Sequence, residues 1–175
     1  STSRPAPTTF SPTVATIDLG ALAHNVAKLR ATIPRSCEVL AVVKADAYGH
    51  GTLEVTQALS RLGILRFAVA TPAEGMALRD GGVQGPILVM GALFPEQLHD
   101  VIHFRLPLIH ALEVARQLSD LVAASDTPYP VHVKVDTGMG RLGLLPDAAF
   151  DLLQSPVFKG RLRPEGLMTH LADAD

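Results

Sequence analysis

From Val14 onward, apolar positions switch between two periods. Short aliphatic and β-branched runs recur, and between them lie longer stretches whose apolar residues return every three or four positions. Leu22, Val26, Leu29 and Ile33 form one such stripe behind Asp18, which predicts a capped helix, and the apolar strand ending at Lys44 follows. Thr52 to Leu62 reads as the next helix and Arg66 to Ala70 as a short strand. In Thr71-Pro72-Ala73-Glu74, threonine caps, proline suits the first helical position and glutamate completes a capping box; Gly81 and Gly82 end that helix. The pattern continues with a strand over Pro86 to Gly91, a helix over Pro95 to His103, a strand over Leu106 to His110 and a helix over Ala111 to Ala124. A strand over Pro130 to Asp136, a helix over Pro146 to Gln154 and a strand over Glu165 to His170 complete it.

Short buried strands alternating with amphipathic helices imply a parallel sheet with helical crossovers, either doubly wound or closed as a barrel. The polar residues choose between the two. Lys44, Asp46, Gly91, His110, Lys134, Asp136 and His170 all fall near the C-terminal ends of strands, where a barrel collects its catalytic groups. A doubly wound sheet would concentrate its ligand groups beside one switch point, with a glycine-rich GxGxxG turn opening a helix, and the sequence has none. The expected fold class is therefore α/β, a TIM-type (β/α) barrel. A complete one needs about 250 residues, so six of eight βα units are expected in these 175 residues.

Lys44 is the first chemical candidate. It ends the run Leu40-Ala41-Val42-Val43, where partial desolvation by the valines favours the neutral amine, and a neutral amine attacks aldehydes. A second candidate strand, Val131-His132-Val133-Lys134-Val135-Asp136, alternates: the valines suit packing under helices, and His132, Lys134 and Asp136 share the face expected to point into the barrel. The loop Thr137-Gly138-Met139-Gly140-Arg141-Leu142-Gly143 then carries Arg141 over the strand ends, where its forked donors suit a carboxylate or phenolate.

Composition narrows the classes. At 47% hydrophobic and 18% charged, the chain can bury a real core from Val14 onward; residues 1–12, with three prolines and many hydroxyl residues, read as a flexible leader. A net charge of -2 with scattered Lys and Arg argues against nucleic-acid binding. No apolar run approaches the roughly 18 residues of a membrane span, no secretory pattern opens the chain, and the single Cys37 fits a reducing compartment, so a cytoplasmic protein is expected. No metal-ligand spacing is present around Cys37.

Together these segments carry a family resemblance. Ala41-Val42-Val43-Lys44-Ala45-Asp46-Ala47-Tyr48-Gly49-His50-Gly51 resembles the pyridoxal-phosphate attachment site of bacterial alanine racemases, and Lys134-Val135-Asp136-Thr137-Gly138-Met139-Gly140-Arg141-Leu142-Gly143 resembles their second signature. Glu165 to Asp175 is similar to a third family segment and Ile17 to Asn25 to the usual start, so the resemblance covers Val14 to Asp175. It implies a pyridoxal 5'-phosphate enzyme interconverting L-alanine and D-alanine for cell-wall synthesis, working as a homodimer. Lys44 would form the internal aldimine and act as base for the D-enantiomer. Tyr48 would donate its hydroxyl to the cofactor phosphate, and Arg141 would hold the cofactor's ring oxygen and the substrate carboxylate. Lys134 matches a lysine that is carbamylated in many members and orients that arginine. His170 would hydrogen-bond a later arginine beneath the cofactor ring, and His50 would support the turn.

The same resemblance implies parts that these residues do not supply. The second base in the family is a tyrosine of the partner subunit's C-terminal half, and the family's smaller C-terminal β domain is expected to be absent, together with the arginine facing the pyridine nitrogen. The strand near Val14 to Ile17, which in relatives pairs within that domain, would lose its partner. The first expectation is thus a racemase portion of residues 13–175 without turnover alone. A broad-specificity racemase, another barrel enzyme using the same cofactor such as an amino-acid decarboxylase, a non-catalytic carrier of that cofactor, and a structural module that binds none are the alternatives.

Overall fold

The computed structural model describes residues 13–104, 111–122, 127–158 and 160–173. Asp18 opens its first helix, α1 (Leu19–Thr32), by accepting from the backbone N–H groups of Gly20 at 2.8 Å and Ala21 at 3.0 Å, two donors with no partner inside the helix. The chain then alternates: β1 (Leu40–Val42), α2 (Thr52–Arg61), β2 (Arg66–Val69), α3 (Pro72–Asp80), β3 (Ile87–Val89), a single 3-10 turn (Pro95–Gln97) running into α4 (Leu98–Phe104), α5 (Leu112–Leu121), β4 (Tyr129–Lys134), α6 (Pro146–Gln154) and β5 (Leu162–Met168). The predicted capping box forms, with Glu74 N–H donating to Thr71 Oγ1 and Thr71 N–H to Glu74 Oε2.

Among the described residues, every strand pairing is parallel. β2 lies between β1 and β3, with Ala68 opposite Val42 and Leu88, while β4 and β5 form a separate pair with a bulge between Val131 and His132. Parallel strands need both faces covered, and two kinds of cluster cover these. On the outer side, Phe67, Val69, Ile87 and Val89 pack with Val55 and Leu59 of α2 and Leu78 of α3, while Val131 and Leu162 pack with Ala115 and Leu118 of α5 and Leu152 of α6. On the inner side, Ala68 and Leu88 meet Met90 and Met168, so β3 and β5 face each other across one interior. The Tyr129 hydroxyl also ties the halves together, donating to the Val101 carbonyl of α4 at 2.9 Å.

This is the expected α/β architecture, an incomplete TIM-type barrel whose strand ends converge on one rim. The expected strand at Leu106 to His110, and His110 with it, lies outside the described residues, as does the proposed leader. As expected of a segment whose strand partner is not supplied, Val14 to Ile17 forms no strand among the described residues, and Val14 is 77% exposed. Among the described residues, no helix is long and apolar enough to cross a membrane.

Candidate functional site

β1 delivers Lys44 to the rim, and the backbone then does something the sequence pattern did not indicate. Ala45, Asp46, Ala47 and Tyr48 all have φ between 51° and 58°, which makes a full left-handed turn from non-glycine residues. Each such residue costs about 1–2 kcal/mol, because Cβ crowds the following carbonyl oxygen, so the turn survives only because its surroundings hold it. Ala47 N–H donates to Val43 O at 3.0 Å and Gly51 N–H to Asp46 O at 3.0 Å. Asp46 Oδ1 accepts from Thr52 N–H at 2.8 Å, which joins the turn to the start of α2. The ring of His50 hydrogen-bonds the Ala47 carbonyl at 2.8 Å, the turn-supporting part expected of it. Because the turn is helical, Tyr48 comes back beside Lys44, whose Nζ sits 5.9 Å from the ring centroid.

The desolvating wall expected around Lys44 is only half built. Val43 is 2% exposed and belongs to the outer core, but Val42 is 37% exposed on the open interior side. Lys44 itself is half-buried and Tyr48 is 59% exposed.

Across the interior, β4 presents Lys134, 5% exposed, with Nζ 3.5 Å from the Val135 carbonyl. Burial pushes the Lys134 ammonium below the usual lysine value of 10.5; the Arg141 charge adds to that push and Asp136 opposes it. Lys134 and Arg141 share one cavity, as the resemblance implies, whereas His132 and Asp136 of the same strand face do not line it.

Asp136 has another use. Its Oδ1 accepts from the N–H groups of Gly138 and Gly140, both at 3.0 Å, and these bonds hold its carboxyl below the usual carboxylate range, with further help from Lys134. It thereby folds the loop that carries Arg141. Gly143 closes that loop at φ +126°, where a Cβ would lie 3.0 Å from Asp136 N and from Lys134 Cγ. Thr169 donates to the Val135 carbonyl at 2.9 Å, so its hydroxyl accepts from Thr137 at 2.7 Å and fastens the loop to the end of β5. Arg141 is exposed and, among the described residues, makes no hydrogen bond or ion pair.

These groups line one cavity of about 390 Å³. Lys44, Tyr48, Lys134, Arg141 and His170 all reach it, so the structure brings together the five residues to which the resemblance gives a part at the cofactor or substrate, while Asp46 and Asp136, also expected on the rim, do not line it. Val42, Met90, Met168 and Leu142 supply apolar surface, and Gly91 lets the end of β3 approach β2, since a Cβ there would lie 2.2 Å from the Ala70 carbonyl oxygen. The lining holds three formal cations, a phenol and an imidazole, and no carboxylate. Such a donor set fits an anionic ligand with a flat apolar body, and a primary amine stands ready for a carbonyl carbon. The residue that sequence reasoning undervalued is Glu74, seen only as a cap: its Oε1 also accepts from Ala45 N–H at 2.9 Å. Nothing local in the sequence signals a contact between positions 29 residues apart.

Comparison with known proteins agrees with this geometry. The chain is 42% identical over 165 residues to alanine racemase of Geobacter sulfurreducens, covering 94% of this chain and 43% of that protein. It is 40% identical to alanine racemase of Halothermothrix orenii, again over 94% of this chain and 44% of that protein. The solved structure of alanine racemase from Clostridium difficile 630 superposes with a TM-score of 0.81 at 32% identity, covering 88% of this chain and 41% of that one. The chain thus spans less than half the length of the relatives it matches. The family model for the alanine racemase N-terminal domain matches residues 17–175, and the chain belongs to that family.

Proposed function

We propose that this chain provides the pyridoxal 5'-phosphate-binding part of an alanine racemase, a PLP-dependent isomerase acting on alanine. The observation that carries the reading is the carboxylate-free cavity in which Lys44, Tyr48 and Arg141 converge. When bound, pyridoxal 5'-phosphate takes up the electron pair left on an amino acid's α carbon after its proton departs. The protein's part is to hold that group and to move the proton. Lys44 Nζ is the attachment point and, once released, the base on one face. The phenol of Tyr48, fixed beside Lys44 by the left-handed turn, suits a donor to the phosphate. Arg141, whose guanidinium has no protein partner among the described residues, is left free to fork onto the substrate carboxylate.

Lys134 is the proposed carbamylation site. Burial favours its neutral amine, the form that adds CO2, and a carbamate beside Arg141 replaces repulsion with a hydrogen-bonded ion pair. An intact mass raised by one CO2 in folded protein under non-acidic, CO2-retaining conditions is expected, and an unmodified mass there rejects this point. His170, at the rim, is proposed to orient an arginine beyond this segment.

Residues 13–175 are proposed as the N-terminal part of the barrel of a homodimeric, cytoplasmic enzyme, with the second base supplied by the partner from a region that these residues do not include. Turnover by this chain alone is then expected to be absent. The test is an absorbance titration with pyridoxal 5'-phosphate, compared with Lys44→Ala, followed by assay of D-alanine formed from L-alanine. A shifted band that the substitution abolishes supports the reading. A band that survives Lys44→Ala removes Lys44 from its part, and racemisation by this chain at the rate of a full-length relative overturns the division of the two bases.

A further inference from the structure

Glu74 makes more contacts than its cap requires. A capping box needs the glutamate to reach the N-cap N–H, here Thr71 at 3.2 Å. The same Oε2 accepts at a shorter distance, 2.7 Å, from Ala70 N–H just past β2, and Oε1 accepts from Ala45 N–H at 2.9 Å. One half-buried carboxylate therefore gathers three backbone donors from two different βα units.

The position of that third donor matters. Ala45 is the first left-handed residue after Lys44, and the peptide joining them is planar, so fixing the Ala45 N–H fixes the rotation about the Lys44 Cα–C bond. The backbone of Lys44 is then held from both sides, by β1 before it and by the fixed peptide after it, and the path of the turn that returns Tyr48 to it is set. The other hydrogen bonds of the turn run to Val43, His50, Gly51 and Thr52, all within its own βα unit. Among the described residues, Glu74 alone ties the turn by hydrogen bond to a different unit.

We propose that Glu74 is a positioning residue for Lys44 and Tyr48: its carboxylate clamps the Ala45 amide to the end of β2 and holds the left-handed turn that carries both side chains. The proposal rests on the cofactor-binding reading above for its consequence, but the clamp itself is measurable without cofactor. Glu74→Gln preserves volume while replacing one acceptor oxygen with a donor group that opposes the backbone N–H donors. Thr71→Ala weakens the cap of the same helix and leaves the Ala45 contact in place.

Site-resolved amide hydrogen exchange on the purified chain reads the clamp directly. Glu74→Gln is expected to speed exchange at Ala45 through Tyr48 by about tenfold, with Glu74→Ala at least as fast, while Thr71→Ala changes it by less than about threefold. In the titration with pyridoxal 5'-phosphate, the Glu74 variants are expected to weaken the Lys44-dependent band by a comparable factor, again with Thr71→Ala near wild type. Equal acceleration in Thr71→Ala and Glu74→Gln, or an unchanged Ala45 amide in Glu74→Gln, overturns the clamp. A loosened turn with cofactor affinity intact overturns its positioning of Lys44. A loosened turn in a protein whose wild type shows no Lys44-dependent band leaves the clamp standing and rejects the cofactor reading.

Discussion

The two walls of the cavity are built by opposite means. On the Lys44 side, four non-glycine residues accept left-handed backbone; Tyr48 belongs to that strained segment and Lys44 immediately precedes it. On the Arg141 side, glycines take the unusual conformations at Gly138, Gly140 and Gly143, Asp136 and two threonines hold the loop, and the arginine head group stays free. Under the proposed function, a lysine that has to meet one carbonyl carbon gains from a rigid base, and an arginine that has to close on a carboxylate gains from a well-founded loop and an unpaired head group.

That comparison can be broken most severely at the glycines. Gly91→Ala, on the Lys44 side, places a methyl group 2.2 Å from the Ala70 carbonyl oxygen, and backbone rather than a flexible side chain has to yield. A loss of about 3 kcal/mol in urea unfolding is expected. Gly143→Ala meets Asp136 N at 3.0 Å and demands φ +126° of an alanine, which should cost about 2 kcal/mol and disturb the Arg141 loop first. Equal, negligible losses in both would mean that neither wall depends on close backbone approach.

The acid response sharpens the Arg141 side. Asp136 is held below the ordinary carboxylate range in the folded protein, so the folded state binds that proton less tightly than the unfolded chain does. Its contribution is complete above the unfolded value near 3.8 and fades as pH falls through the lower folded one. Asp136→Asn should flatten that part of the acid-unfolding curve and speed amide exchange at Gly138 and Gly140; an unaltered curve would sink the assignment.

Lys134 offers the smallest effect. Its depressed value means that the folded state binds the ammonium proton less tightly than the unfolded chain, so the penalty is full below the folded value and fades as pH rises from there toward 10.5. In CO2-free buffer, Lys134→Met should be stabilised by about 1 kcal/mol at neutral pH, a gain that shrinks in alkali. Bicarbonate should stabilise the wild type and leave the variant unmoved. The same gain for the variant with and without bicarbonate counts against carbamylation.

Much of the scaffold was legible because its signals are local. Asp18 before an apolar stripe, Thr71-Pro72 with Glu74, and the alternating valines around Lys134 each satisfy their own backbone or choose their own face within a few residues. Val14 to Ile17 forms no strand for the converse reason, since a strand exists only where another segment offers its N–H and C=O groups a partner.

By itself, then, the sequence determined the alternation of strands and helices and the rim on which the polar groups collect, and its family resemblance singled out Lys44, Tyr48, Lys134, Arg141 and His170, which line one cavity. Only the tertiary structure decided three matters: the left-handed turn, the employment of Asp136 inside its own loop, and the reach of Glu74 to Ala45. Propensity disfavours four non-glycine residues at positive φ, and nothing within the segment reverses that. The reversal comes in part from a carboxylate 29 residues away, brought into range by the parallel pairing of β1 with β2.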